Sequence, residues 1–277
     1  MKKILLSLLL SSFCSATQAQ NTNTNDSLFQ VKIHTSLGDV VVQLYNETPL
    51  HKANFIKLVR SGYYNGSDFH RIIKGFMVQG GGKGSGASDA GYKIPAEILP
   101  QFCHQKGALC AARQGDGVNP KKESSGSQFY IVQGEPIDAT FISKMKARGQ
   151  AANTAEEFLK MYEAQRGLAY SPEQIANYKM IGGTPFLDGA YTVFGQVING
   201  IEVVDALAAL PTQPGDKPVV KQEMTAELIY INPSTKIQPV SNSKSVKNST
   251  AVDNIKTVAP AKIGKSKRIK IRKTSRK

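Results

Sequence analysis

Eight short segments in which apolar residues dominate or alternate with polar ones, each bounded by turn-forming residues, leave this chain few architectures to choose from. They cover residues 29–34, 40–45, 69–73, 76–79, 107–111, 128–132, 191–197 and 222–230. Alternation with a period of two marks strands with one buried face. Ser36-Leu37-Gly38-Asp39 is a turn that makes the first two segments a hairpin. Strands so short and numerous predict a mainly β fold closed into an antiparallel barrel, because closure removes the exposed edges of an open sheet. Helical patterns flank the strand series at both ends. Thr48-Pro49 opens the first, a capping residue followed by proline in the first turn, and Ser61-Gly62 ends it. The second runs over residues 201–210. Both helices are predicted to plug the open ends of the barrel.

The two ends of the chain read differently. Lys2 and Lys3, the apolar run 4–10 and Thr17-Gln18-Ala19 make residues 1–19 an export signal. The run is too short for a bilayer, which needs about 20 residues. Phe13, where a small residue would be expected, argues against lipid attachment at Cys14. Residues 20–27 form a polar leader, 28–232 a folded domain, and 233–277 a tail without apolar periodicity. Net charge is +14; the stretch 236–277 holds 13 Lys or Arg against the single acid Asp253, so +12 of it lies there. The near-neutral domain gives no sign of a nucleic-acid partner. The tail suits an acidic partner in the envelope, and it lacks the interleaved aromatics of a single-strand binder. The expected location is periplasmic or secreted, and the expected state a monomer.

Residues 134–183 interrupt the strands with two helical patterns, 154–165 and 171–180, the second beginning Ser171-Pro172-Glu173-Gln174 as capping rules favour. Such an insert is either a lid beside the site or a stabilising excrescence. Beyond the signal, Cys103 and Cys110 are either a disulfide or two buried thiols. His34, His51, His70 and His104 show no metal-ligand spacing.

Asp68-Phe-His-Arg-Ile-Ile-Lys-Gly-Phe-Met-Val-Gln-Gly-Gly81 resembles the signature segment of the cyclophilin family. Gly126-Ser-Gln-Phe-Tyr-Ile131, Phe186-Leu-Asp-Gly189 and Val193-Phe-Gly195 resemble further blocks of that family, in its order. Thr48-Pro49 with Asn54-Phe55, and Gly62-Tyr-Tyr64, are similar to its first helix and exit. The resemblance implies an eight-stranded barrel capped by two helices, and cis/trans isomerisation of prolyl peptide bonds without a cofactor. It also implies a pocket that includes His70, Ala112, Arg113, Gln114, Phe186 and Tyr191.

The residue types suit that chemistry. Rotation about an X-Pro bond must overcome about 18–20 kcal/mol and unaided takes tens to hundreds of seconds. No covalent bond breaks, so the site needs only to prefer the twisted amide over the planar one. Twisting gives the prolyl nitrogen a lone pair, and a fixed, always-charged donor stabilises it selectively. Arg71 is the candidate donor; Phe76, Met77, Tyr130 and Leu187 are candidates for the apolar slot. Lys74-Gly75 makes 69–73 and 76–79 adjacent strands, with Met77 and Gln79 on one face, so Gln79 can hold Arg71 or a substrate carbonyl. His70 is expected to be structural more than proton-donating. Phe186 stands where the family often has Trp, Tyr191 where His is frequent, Tyr130 where Phe is frequent, and Arg113 where Asn is common. The expected clients are proline-containing peptides and unfolded exported proteins. A prolyl-peptide binding module or chaperone with little catalysis is the alternative, and a surface tether built on the tail a third.

Overall fold

The structure, a computed structural model, describes residues 29–83 and 88–230. The expected signal, polar leader and basic tail lie outside the described residues. Eight strands form the barrel: β1 Phe29–Thr35, β2 Gly38–Leu44, β3 Ser67–Ile73, β4 Met77–Gly80, β5 Ala108–Ala111, β6 Phe129–Val132, β7 Val193–Asn199 and β8 Glu223–Tyr230. Their order around it is β1-β8-β3-β4-β6-β5-β7-β2, closing on β1, with every neighbouring pair antiparallel. Helices α1 Pro49–Arg60 and, late in the chain, Ile201–Ala208 add their apolar faces to the cluster inside the barrel.

Period-two alternation decides which side chains fill the interior. Val78, Leu109, Ala111, Phe129, Ile131 and Phe194 point in with Val31, Ile33, Val40 and Val42. Met77, Ala108, Cys110, Tyr130, Val132 and Val193 point out, yet are buried too. Strands β5 and β6 are therefore apolar on both faces, and the outer layer is covered by Tyr45, Phe102, Leu187 and Tyr191 from loops and strand ends.

Helix α1 starts with Pro49 as expected, but Thr48 makes no capping bond with its side chain. The Glu97 carboxylate does that work, accepting from the main-chain N–H groups of Leu50 and His51, both at 3.0 Å. A carboxylate at a helix N-terminus satisfies orphan donors and meets the positive end of the dipole.

The insert carries three helices, α2 Ala139–Ala147, α3 Ala155–Arg166 and α4 Pro172–Met180; the chain's last helix is thus α5. Helices α3 and α4 match the two sequence patterns. The sequence pattern did not reveal α2, which buries only Ile142 but is capped by Asp138 accepting from the Phe141 N–H. Ile137, Phe158, Leu159, Tyr170 and Tyr178 form a core of the insert's own. Its ends meet at a neck where Gly183 bridges to both Gln105 and Glu135. Gly182 and Gly183 have φ of 93° and 152°, and a Cβ on either would collide with the main chain of Glu135 or His104. No side chain but hydrogen fits there.

Cys103 and Cys110 are free thiols, so the disulfide alternative falls away. Cys110 lies in the outer layer beside Tyr130, while Cys103 packs on the insert core and accepts from Gln174 Nε2 at 2.9 Å.

Candidate active site

Arg71 owes its direction to an irregularity in β3. The pairing of β3 with β4 shifts register between Phe69 and Arg71, so His70 is an extra residue. Phe69 and Ile72, three apart, then both point into the barrel, and Arg71 emerges on the outer face. Re-aiming a side chain is what a bulge beside a site does. Arg71 sits opposite Gln79 in the register, but its Nε donates to Asp216 Oδ2 at 3.2 Å. Asp216 lies in the Pro214-Gly215-Asp216 turn with φ of 61°, and its carbonyl accepts from the Ile72 N–H at 2.8 Å. This main-chain bond seats the carboxylate beside Arg71, with Nε committed to it.

Beneath Arg71 is a cavity of about 100 Å³ lined by Phe76, Met77, Gln79, Ala112, Arg113, Tyr130, Leu187 and Tyr191. One water needs about 10–15 Å³ of such space, so the cavity has room for a group several waters in size, such as one small ring. Apart from the Arg71 and Arg113 guanidinium groups the lining is uncharged, and burial pushes the Tyr130 phenol and the neighbouring Cys110 thiol well above their ordinary ranges. Leu187 reaches the cavity from a single 3₁₀ turn, Pro185–Leu187. Phe186 of that turn, expected in the pocket, does not line the cavity; it is 40% exposed and its ring centroid lies 5.4 Å from that of Phe76, which does. A second cavity of about 310 Å³ shares Gln79, Ala112 and Arg113 and adds Gln114, Gln128 and Lys93.

Two further expectations need correcting. Gln79 does not hold Arg71; its amide donates to Gln128 Oε1 at 3.1 Å, and Asp216 takes the role. His70 does not join the cavity. It faces a separate depression with Asp68, Gln213, Lys217 and Lys221, because it is the bulged residue. Both its ring nitrogens lack hydrogen-bond partners, and burial, opposed by Asp68, holds its pKa below the usual 6.5.

Arg113 is explained by the fold. Its Nε donates to Ala190 O and Nη1 to Gln114 O, both at 2.8 Å, while the guanidinium lies 4.3 Å from the Tyr191 ring centroid. It clamps the loop carrying Tyr191 onto the segment that follows β5, and its side chain is 3% exposed.

A second constellation has the spacing of a nucleophile array without the room for one. His51 Nδ1 is 2.7 Å from Glu97 Oε2, and Nε2 is 2.8 Å from Ser124 Oγ. His51 and Ser124 are buried and the adjoining void is only about 10 Å³, too small for a substrate. These bonds anchor α1.

The site thus offers a charged donor, Arg71, in the lining of a ring-sized slot walled otherwise by Arg113 and uncharged side chains. Among the described residues no group of three or more His, Cys, Asp or Glu is placed to hold a metal ion.

Comparison with known proteins gives the same answer over most of the chain. The family model "cyclophilin type peptidyl-prolyl cis-trans isomerase/CLD" matches residues 30–227. A peptidyl-prolyl cis-trans isomerase of Arabidopsis thaliana is 33% identical over 210 residues, which cover 73% of this chain and 97% of the relative. A relative from Staphylococcus saprophyticus is 34% identical over 218 residues, covering 76% of this chain and 95% of its own. The crystal structure of a cyclophilin-type isomerase of Cryptosporidium parvum superposes with a TM-score of 0.51 at 26% identity, over 75% of this chain and 99% of that one. Fold, motifs and relatives agree: the chain belongs to the cyclophilin-type peptidyl-prolyl cis-trans isomerase family.

Proposed function

We propose that this chain accelerates X-Pro rotation in exported polypeptides, with Arg71 supplying the rate. The observation that carries the reading is Arg71 lining the same 100 Å³ slot as Phe76, Met77, Tyr130 and Leu187, its Nε already occupied by Asp216. The slot takes the pyrrolidine ring between Phe76, Met77, Tyr130 and Leu187. Holding the ring while the preceding carbonyl turns converts binding into preference for the twisted amide. The terminal nitrogens of Arg71 then donate to the pyramidal prolyl nitrogen, a bond the planar ground state cannot make. Gln79 and Gln114 line the adjoining 310 Å³ cavity, which supports giving them the grip on the flanking peptide. Export rests on Lys2, Lys3 and the apolar run 4–10, and clients would then be unfolded proteins outside the cytoplasm. The basic tail would meet an acidic envelope component.

The test has two arms. The purified chain is added to a proline tetrapeptide followed by exchange spectroscopy, and to an exported protein whose refolding is limited by a prolyl bond. Acceleration of both supports the proposal; peptide binding without acceleration of either overturns it in favour of a binding module. Fractionation of cells expressing the chain with and without residues 1–19 reads the location: recovery inside the cytoplasm in both cases would sink the export claim.

A further inference from the structure

Asp188 lies next in sequence to Leu187 of the proline slot, is 2% exposed, and receives four hydrogen bonds. Its Oδ1 accepts from the His104 main-chain N–H and from His104 Nδ1, both at 2.7 Å. Its Oδ2 accepts from the hydroxyls of Tyr170 at 2.7 Å and Tyr178 at 2.5 Å. Both tyrosines belong to the insert, Tyr178 to α4 and Tyr170 to the segment before it. On the far side of the imidazole, Nε2 is 3.0 Å from the Tyr130 hydroxyl, and Tyr130 is a wall of the slot. The carboxylate fixes the proton on Nδ1, which leaves Nε2 as an acceptor and makes Tyr130 the donor. The Tyr191 ring stands edge-on to both His104 and Tyr130, with centroids at 6.3 and 6.0 Å.

The geometry points to the insert as a positioning element for the proline slot, acting through Tyr170 and Tyr178 on Asp188, through Asp188 on His104, and through His104 on Tyr130. The inference rests on the slot being where the proline binds. A tyrosine held only at its Cα swings about χ1 and χ2; one also held at its hydroxyl is fixed at both ends, and a pre-formed wall costs the substrate no ordering. A phenylalanine at this position would have no such second anchor. The insert supplies two of the four donors on a carboxylate that is 2% exposed, so removing them loosens the chain of bonds at its root. Because Tyr130 meets the ring in ground and twisted states alike, the effect belongs in substrate affinity and not in the turnover step.

The experiment is a double-mutant cycle on the full chain: Tyr170→Phe with Tyr178→Phe, placed in the wild-type and in a Tyr130→Phe background. Isomerisation of a proline tetrapeptide and peptide affinity are measured for all four proteins, with thermal unfolding beside them. The expected result is a KM and Kd about tenfold higher on removing the two insert hydroxyls, a coupling of about 1.4 kcal/mol, with kcat little changed. In the Tyr130→Phe background that loss should disappear, while the drop in Tm persists in both. Equal losses in both backgrounds, or none in either, would overturn the relay. If the paired variant does not fold, Tyr170→Phe alone runs the same cycle. Long-range ¹H–¹⁵N spectra of the wild-type protein read the relay without any variant: His104 should carry its proton on Nδ1 with Nε2 bare. A proton on Nε2 would overturn it. A wild-type protein that binds the peptide yet does not accelerate it would refute isomerase activity and leave the relay readable in affinity.

Discussion

Replacing Arg113 with alanine removes a clamp that holds one wall of the slot, and the structure sets its size. The side chain is 3% exposed, so its donors have little water to fall back on. The bond at 2.8 Å to the carbonyl of Ala190, a residue 2% exposed, joins a charged donor to a buried acceptor, worth ~1.5–3 kcal/mol. Stacking on Tyr191 adds roughly 0.5–2 kcal/mol. The ion pair with Asp116 contributes nothing to the sum, because that carboxylate stands in solvent. Against these gains stands up to ~2 kcal/mol of side-chain entropy that Arg113 loses on ordering. The gains sum to about 2–5 kcal/mol, so with the entropy set against them the net loss expected for Arg113→Ala centres on roughly 1.5–2.5 kcal/mol, which corresponds to about 3–10 °C in Tm for a domain of this size. Since Tyr191 lines the slot, KM for a proline peptide should rise severalfold at the same time. Urea unfolding of the wild type, Arg113→Ala and Arg113→Lys measures the first, and steady-state isomerisation the second. Lysine should fall between, keeping the charge but not the planar fork that meets two carbonyls and a ring together. An alanine variant within ~0.5 kcal/mol of wild type and with unchanged KM would refute the clamp.

Other expectations follow from the same geometry. Asp216→Asn keeps a residue tolerant of φ near 61° but removes the charge beside Arg71; both partners are over 40% exposed, so kcat should fall only about 2- to 5-fold, with stability changed by less than ~1 kcal/mol. A larger loss of stability than of kcat would show the pair to be structural only. Burial, opposed by Glu97, lowers the His51 pKa below the 6.5 of the unfolded chain. The native state then binds fewer protons, so the stability that neutral His51 supports is complete above about pH 6.5 and is lost as pH falls toward the folded value. Urea midpoints at pH 7.5 and 5 should show that fall, and His51→Gln should flatten it; an unchanged pH dependence in the variant counts against the assignment. Phe129 is 1% exposed and meets Phe55, Tyr64 and Phe69 edge-on, so Phe129→Ala should cost about 3–5 kcal/mol, read by the same urea titration.

What the sequence disclosed and what it hid divide along the distance between partners. The barrel strands were legible because each carries its own local signal, an alternation as in Val31 and Ile33 against Lys32 and His34, or a short apolar run bounded by turns as in β5 and β6. The slot was legible in part because Arg71, Phe76, Met77 and Gln79 sit on one hairpin. The partners of those residues were not. Asp216 reaches Arg71 across 145 positions, and Glu97 caps α1 in place of the adjacent Thr48. His70 left the slot because a bulge broke the period that would have kept it there, and nothing local marks the bulge. Helix α2 escaped notice because nine residues with one buried side chain leave almost no periodic trace. Arg113 looked like a surplus charge until the Tyr191 loop folded over it. Asp188 and His104 each stood in view, one inside the Phe186–Gly189 block and one as an isolated histidine. Only the fold brings them within 2.7 Å of each other and joins the insert to the slot.

The most direct measurement is isomerisation of a proline tetrapeptide by the wild type and by Arg71→Ala, with peptide affinity measured on both. A rate well above background that falls at least ~10²-fold in the variant, while affinity changes little, assigns the guanidinium roughly 2.7 kcal/mol of stabilisation of the twisted amide. A variant that isomerises within about threefold of wild type, less than ~0.7 kcal/mol, would contradict the role given to Arg71.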